Sequence, residues 1–279
     1  MRSWAKTRGL VSCLGILLAA GLTSGPLEAS EIVRQAFVLR GETQYFFHIP
    51  AQEPAQTHPP ILFVPGDAGW CGAAVGMGRM MATLGYEVYG LDVRRYLTGF
   101  TTRRGVLTED QLASDMDQLI AKVASWNHQP VVLVGWSQGA AMVILAASRT
   151  GHKETVEGVL TIALPEAGFL GWRWRDNLLA LIRCDADEPR FQVAPLLPQV
   201  APIPAWMVYG TRDRFTPAAV ARRLVSLARR PRRRREIQGG NHQLKGNRKE
   251  LFASLRMGLA WVEWRDSGAR VRLGGGAAP

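Results

Sequence analysis

The spacing of apolar positions along the chain predicts a succession of strands and helices. Ile32–Leu39 and Thr43–Ile49 read as two strands joined by Arg40-Gly41-Glu42, a hairpin signal. A polar, proline-bearing loop, 50–60, separates them from Ile61-Leu62-Phe63-Val64, a short apolar run that stops at Pro65-Gly66-Asp67. A helix from Cys71 to Leu84 and a strand from Glu87 to Leu91 follow. Thr108 and Gln111 then form a capping-box pair. The helix they open runs to Trp126, with Leu112, Met116, Leu119, Ile120 and Val123 at helical spacing as its core face. Val131–Val134 reads as a strand, Gln138–Arg149 as a helix and Val156–Ala163 as a strand. Pro204–Tyr209 and Thr216–Arg229 form another strand–helix unit. Arg234–Gln238 falls where a strand is due although its composition is poor for one, and Asn247–Trp264 reads as the last helix.

Strands alternating with helices, and strands that are continuously apolar, predict an α/β domain with a mostly parallel, twisted sheet covered on both faces. The opening hairpin predicts an antiparallel N-terminal edge. Residues 165–203, with Trp172, Trp174 and five prolines, do not fit this alternation and are expected to form an insertion over the carboxyl edge of the sheet. The domain is expected to span 30–268, and 269–279, ending in Gly274-Gly275-Gly276-Ala277-Ala278-Pro279, to be a disordered tail.

The first residues read differently. Arg2, Lys6 and Arg8 precede the apolar run Leu10–Leu22, and small residues follow near Ala29. This is the pattern of a secretory signal peptide, 1–29, cleaved after Ala29, and it predicts an exported protein. The run has 13 residues, interrupted by Ser12, Gly15 and Gly21, whereas a membrane span needs about 20. An uncleaved anchor is the less favoured alternative. Cleavage leaves Cys71 and Cys184, which an exported protein could pair or leave apart. The absence of a Cys/His cluster at ligand spacing points to no metal, and the sequence calls for no cofactor.

Net charge is +11, and its distribution narrows the reading. Residues 212–272 hold 17 Lys/Arg against 5 Asp/Glu, whereas everything before them is nearly neutral. At the centre lies Arg229-Arg230-Pro231-Arg232-Arg233-Arg234-Arg235. Such a run is either a solvated face or a patch attracted to an anionic surface. For an exported chain the surface is lipid. Arginine without interleaved aromatics does not predict nucleic-acid binding.

Against this background, Gly135-Trp136-Ser137-Gln138-Gly139 is a G-x-S-x-G sequence set between an apolar strand and a small-residue helix. That is the setting of a serine nucleophile on a strained turn. A serine hydroxyl needs a base and an orienting acid, which in this fold follow in the order Ser, Asp or Glu, His. His242, in Gly239-Gly240-Asn241-His242 after the last predicted strand, is the candidate base. Asp213, in Gly210-Thr211-Arg212-Asp213-Arg214, is the candidate acid, with Glu166 in reserve and Asp185 and Asp187 behind it. His48, His58 and His128 are read as structural, and His152, at the far end of the helix after Ser137, as a surface residue. For the oxyanion, the expected donors are the backbone amide of Gln138 and that of Asp67 or of Ala68 beside it.

These residues resemble an α/β-hydrolase over nearly all of 32–264, and several segments resemble the VirJ/AcvB bacterial virulence protein family. They are Pro65-Gly66-Asp67-Ala68-Gly69-Trp70 (the family's G-D-G-G-W), Gly90-Leu91-Asp92-Val93-Arg94-Arg95-Tyr96, Thr108-Glu109-Asp110-Gln111 with Ala113 and Asp115, and Gly135–Ala140. The resemblance implies a periplasmic serine esterase acting on lysyl-phosphatidylglycerol, with Ser137, Asp213 and His242 cleaving the aminoacyl ester. Ala68 replaces a family glycine, Gln138 stands where phenylalanine is common, and the arginine-rich end is not a family mark; these departures bear on the substrate. Two other readings fit the same residues: a general carboxylesterase or lipase, and a secretion or virulence accessory protein that uses the fold for partner binding.

Overall fold

Eight strands form one sheet, and their order places the ends of three central strands around a single cleft. Across the sheet they run β1 (Val33–Leu39), β2 (Glu42–Ile49), β4 (Val88–Leu91), β3 (Ile61–Val64), β5 (Val131–Trp136), β6 (Val156–Ile162), β9 (Ala205–Gly210) and β10 (Arg232–Ile237). The computed structural model describes residues 31–52, 58–102, 105–172 and 189–274. Within the eight-stranded sheet β2 runs opposite to both of its neighbours, and the remaining pairings are parallel. The expected antiparallel N-terminal edge is therefore the β1–β2 hairpin.

Every residue of β3, β4, β6 and β9 is buried, as are the first five of β5. Burial on both faces is why these segments are continuous apolar runs. On one face the core is completed by α2 (Val93–Gly99), α3 (Glu109–Asn127), α4 (Gln138–Arg149) and α5 (Ala218–Leu227). On the other it is completed by α1 (Ala73–Thr83) and α6 (Arg248–Gly274). In α4 each residue from Gln138 to Ser148 is buried, which explains its lack of a polar stripe.

Thr108 caps α3 through a reciprocal pair of hydrogen bonds with Gln111, at 3.0 and 3.2 Å. The five expected core residues of α3 are buried. The short helix α2 has no counterpart in the sequence reading, because seven residues hold fewer than two turns and show no period. Asp92 starts α2 by accepting the Arg95 amide at 3.1 Å. Tyr96 then ties it to α3, its hydroxyl donating to the buried Asp115 at 2.8 Å. Burial raises the Asp115 carboxyl, and the Tyr96 hydrogen bond and the Arg40 charge partly offset that.

Two expectations are corrected. The last helix does not stop at Trp264: α6 continues to Gly274. Residues 269–274, expected as tail, are helical, since Ala269-Arg270-Val271-Arg272-Leu273 contains good helix formers and the breaking run begins at Gly274. The arginine-rich segment forms a strand earlier than expected, Arg232–Ile237, paired only to β9. It tolerates four arginines because it is an edge strand, where exposed charge also opposes further pairing.

In the insertion, β7 (Ala167–Phe169) and β8 (Arg190–Gln192) form a separate antiparallel ribbon, followed by a helical turn at Leu197–Gln199. Trp172 packs against the core with the Arg94 guanidinium 5.5 Å from its ring centre, so it serves packing. The expected leader 1–29, along with Trp174, Cys184, Asp185, Asp187 and residues 275–279, lies outside the described residues.

Candidate active site

The structure places Ser137 in the one-residue turn between β5 and α4, with φ 52° and ψ −119°. A side-chain-bearing residue in that region carries about 1–3 kcal/mol of strain and needs surroundings that enforce it. Here the Ser137 amide donates to Ile162 O at 2.9 Å, and its carbonyl accepts the Ala140 and Ala141 amides at 2.8 and 3.2 Å. The motif glycines let the strand and helix approach this closely. A methyl on Gly139 would fall 1.8 Å from Val64 O, and one on Gly135 would fall 2.5 Å from Gly139 O.

His242 and Asp213 converge on Ser137 from the ends of β10 and β9. Ser137 Oγ lies 2.8 Å from His242 Nε2, and His242 Nδ1 lies 2.8 Å from Asp213 Oδ2. A carboxylate only accepts, so Nδ1 carries the hydrogen and Nε2 is left to accept from the serine hydroxyl. The other Asp213 oxygen accepts the amides of Phe215 and Thr216 at 2.8 and 3.0 Å. The aspartate therefore orients the histidine and staples its own turn. Burial pushes the Asp213 carboxyl up, but the hydrogen bond from His242 and those from the Thr216 and Phe215 amides outweigh it and hold the group below its usual value. The two turns are themselves joined, since the Arg212 amide donates to Gly240 O at 2.8 Å.

The remaining titratable candidates are accounted for elsewhere. Glu166 pairs with Arg223 and does not reach His242. His48 pairs with Glu87, and His58 pairs with Glu263 at 3.0 Å while stacking on Tyr86. His128 ends α3 in the left-handed region, and His152 is exposed beside Glu154.

The loop after β3 passes directly under the serine, with the methyl position of Gly66 3.5 Å from Ser137 Cβ. Among the described residues neither the Asp67 amide nor the Gln138 amide donates to a protein acceptor. Two unsatisfied N–H groups beside a serine are what an oxyanion site requires. Trp70 anchors this loop: its ring lies against Gly90, where a methyl would fall 2.0 Å from it, and stacks on Phe47 at 5.4 Å. Cys71 is exposed at the same turn, its thiol 3.6 Å from Ala68 O.

Several contributors carry no motif signal. The buried Gln138 side chain pairs with the backbone of Phe169 in both directions, at 2.9 Å each, tying β7 to the elbow. Phe215 is 82% exposed, with its ring centre 4.9 Å from that of His242. The open cleft over Ser137 is lined further by Asp67, Glu166, Arg190, Arg212 and Arg214. Of these, Asp67 and Glu166 were read from the sequence in other roles, Arg212 and Arg214 only as neighbours of Asp213, and Arg190 carries no motif signal.

Chemically, this arrangement can take a proton from a serine, stabilise the imidazolium that results, and donate two hydrogen bonds to a developing oxyanion. Its topology and elbow define an α/β-hydrolase fold. Solved structures agree: the α/β hydrolase GrgF from Penicillium sp. sh18 superposes with a TM-score of 0.63 over 82% of this chain and 98% of its own, at 14% identity. A structure described as a membrane phospholipase A, a novel bacterial virulence factor, superposes with a TM-score of 0.61 over 83% and 87%, at 15% identity. In sequence, the chain is 27% identical over 197 residues to a protein of Escherichia coli O157:H7 named Uncharacterized protein YfhR. The match covers 65% of this chain and only 62% of that relative. The model of the bacterial virulence protein (VirJ) family matches residues 60–255, from β3 into α6, and the chain belongs to that family.

Proposed function

We propose that this protein is a periplasmic serine hydrolase that cleaves carboxylic esters, and specifically the aminoacyl ester of lysyl-phosphatidylglycerol. The observation that carries the reading is the pair of 2.8 Å hydrogen bonds linking Ser137 through His242 to Asp213. Ser137 Oγ attacks the ester carbonyl while His242 Nε2 takes its proton. The Asp67 and Gln138 amides stabilise the oxyanion, and His242 returns the proton to the departing alcohol oxygen. Water, deprotonated by His242, then attacks the acyl-serine and releases the free acid and Ser137.

Membership of the virulence family and a fold neighbour described as a membrane phospholipase support a lipid ester. A basic surface supports contact with an anionic bilayer: Arg233 and Arg235 are exposed on one face of β10, and the Arg233 guanidinium lies 5.4 Å from the Trp261 ring centre. Met257 and Trp264, at helical spacing from Trp261, are exposed beside it. The test is labelling by a fluorophosphonate, expected at Ser137 in the native chain and absent in Ser137→Ala. It is paired with the lysyl-phosphatidylglycerol content of cells carrying either form. No labelling refutes the hydrolase; labelling with unchanged lipid refutes this substrate.

A further inference from the structure

Among the described residues Phe215 is the most exposed large apolar side chain, at 82%, yet its place is fixed. Its amide donates to Asp213 Oδ1 at 2.8 Å, so its backbone belongs to the turn that holds the acid. The next residue, Thr216, donates to the same oxygen at 3.0 Å and is buried. From this anchored turn the Phe215 ring lies beside His242 at the cleft, with ring centres 4.9 Å apart and planes tilted by 55°. A ring left in water adds little to the core, so its position beside the base calls for a chemical reason.

The proton transfers at His242 supply one. The imidazole becomes an imidazolium twice in each turnover, once on taking the proton of Ser137 and once on taking that of water. Both nitrogens are then in use, Nδ1 toward Asp213 and Nε2 for the proton in transit. Any further stabilisation of the charge must come from a contact that is not a hydrogen bond. The other charged groups lining the cleft with His242 are Arg212 and Arg214 on the turn of the acid, Asp67 after β3, and Glu166 and Arg190 on the insertion. Three arginines stand against two acids, and one of those acids, Glu166, is engaged by Arg223. Such surroundings oppose a new cation. An aromatic ring attracts a cation within about 6 Å of its centre and needs no charge of its own to do so.

Resting on the serine-hydrolase reading, we infer that Phe215 is a positioning residue that stabilises the His242 imidazolium through its π face. Phe215 moves no proton and acts through the histidine. A ring that only filled space would be replaceable by leucine; one that acts through its π face is not.

The rate of fluorophosphonate labelling tests this whatever the ester. In that reaction Ser137 Oγ bonds to phosphorus, fluoride leaves, and His242 takes the serine proton. Phe215→Leu keeps the bulk and loses the π face, whereas Phe215→Tyr keeps both. In Phe215→Leu, kinact is expected to fall about two- to fivefold with KI unchanged, the factor an exposed cation–π contact supplies. The acid limb of kinact/KI should move to lower pH by about 0.4–0.7 of a unit. Phe215→Tyr is expected to keep the native rate and profile, and the urea midpoints of all three proteins should agree. Native kinact and profile in the leucine variant overturn the inference, and so does a rise in KI alone, which makes Phe215 a wall for the bound probe. A tyrosine variant as slow as the leucine one, or a slower rate matched by a lower midpoint, also overturns it and assigns Phe215 to shape or packing. Each of these results leaves the hydrolase intact, whereas absence of labelling in the native chain overturns both.

Discussion

Trp70 and Gly90 fit together as plug and notch: the indole ring occupies the place a methyl group on Gly90 would take, 2.0 Å from it. Phe47 stacks on the ring at 5.4 Å, and Phe63 meets it in an edge arrangement at 5.8 Å. The loop that carries Gly66 and Asp67 under Ser137 is therefore held by a side chain three residues beyond Asp67. Gly90→Ala is expected to displace the ring and cost about 1–3 kcal/mol of stability, as overpacking of a filled site does. It should also lower kcat more than a surface change of equal stability cost, because the Asp67 amide moves with Trp70. Urea unfolding and ester kinetics on the same samples check both; an unchanged kcat in a destabilised variant removes Trp70 from the positioning role.

At the elbow the closeness is between backbones. Because Val64 O would lie 1.8 Å from a methyl on residue 139, Gly139→Ala can be accommodated only by moving α4 off β3. A loss at or above the upper end of the 1–3 kcal/mol range is expected, read as a lower thermal midpoint. Ser137→Ala, with nothing to displace, is expected to fold normally while abolishing labelling. Equal stability of the two variants contradicts this account of the motif.

These relationships show which parts of the molecule were legible in its sequence. Ser137, Asp213 and His242 each follow a strand in the required order, and strand ends are where an open parallel sheet gathers its site. The strands themselves were readable since burial on both faces leaves unbroken apolar runs. What escaped were contacts without period: α2, too short to repeat, and the Gln138 amide, whose partner is backbone 31 residues away. The end of α6 was missed for a related reason, since the glycine-rich terminus drew the expected boundary too early.

The side chain of Gln138 satisfies both the N–H and the C=O of Phe169. Gln138→Leu keeps the backbone amide proposed as an oxyanion donor but leaves two polar backbone groups unpaired, which costs about 1–3 kcal/mol each where they stay dry. The expected outcome is faster hydrogen exchange at the Phe169 amide and a raised KM, with kcat changed less than tenfold. Loss of kcat with KM unaltered instead assigns Gln138 to the chemistry rather than to the shape of the cleft.

Asp213 gives the site a pH signature. Its carboxyl is held below the usual value by His242 and two amides, so the ionised form is favoured in the folded chain. Stability from a depressed carboxylate is fully present above the unfolded pKa, about 3.9 for aspartate, and is lost as pH falls through the lower folded value. The difference in unfolding free energy between the native chain and Asp213→Asn should therefore be constant from neutral pH down to about pH 5 and shrink below it. Ester hydrolysis separates orientation from stability: where the asparagine variant folds, kcat is expected to fall by ~10⁴, the loss seen when a histidine is left in the wrong tautomer. An unfolding difference that persists unchanged at the lowest pH shows that the ionised carboxylate adds nothing to the fold. The kcat loss then belongs to His242 alone.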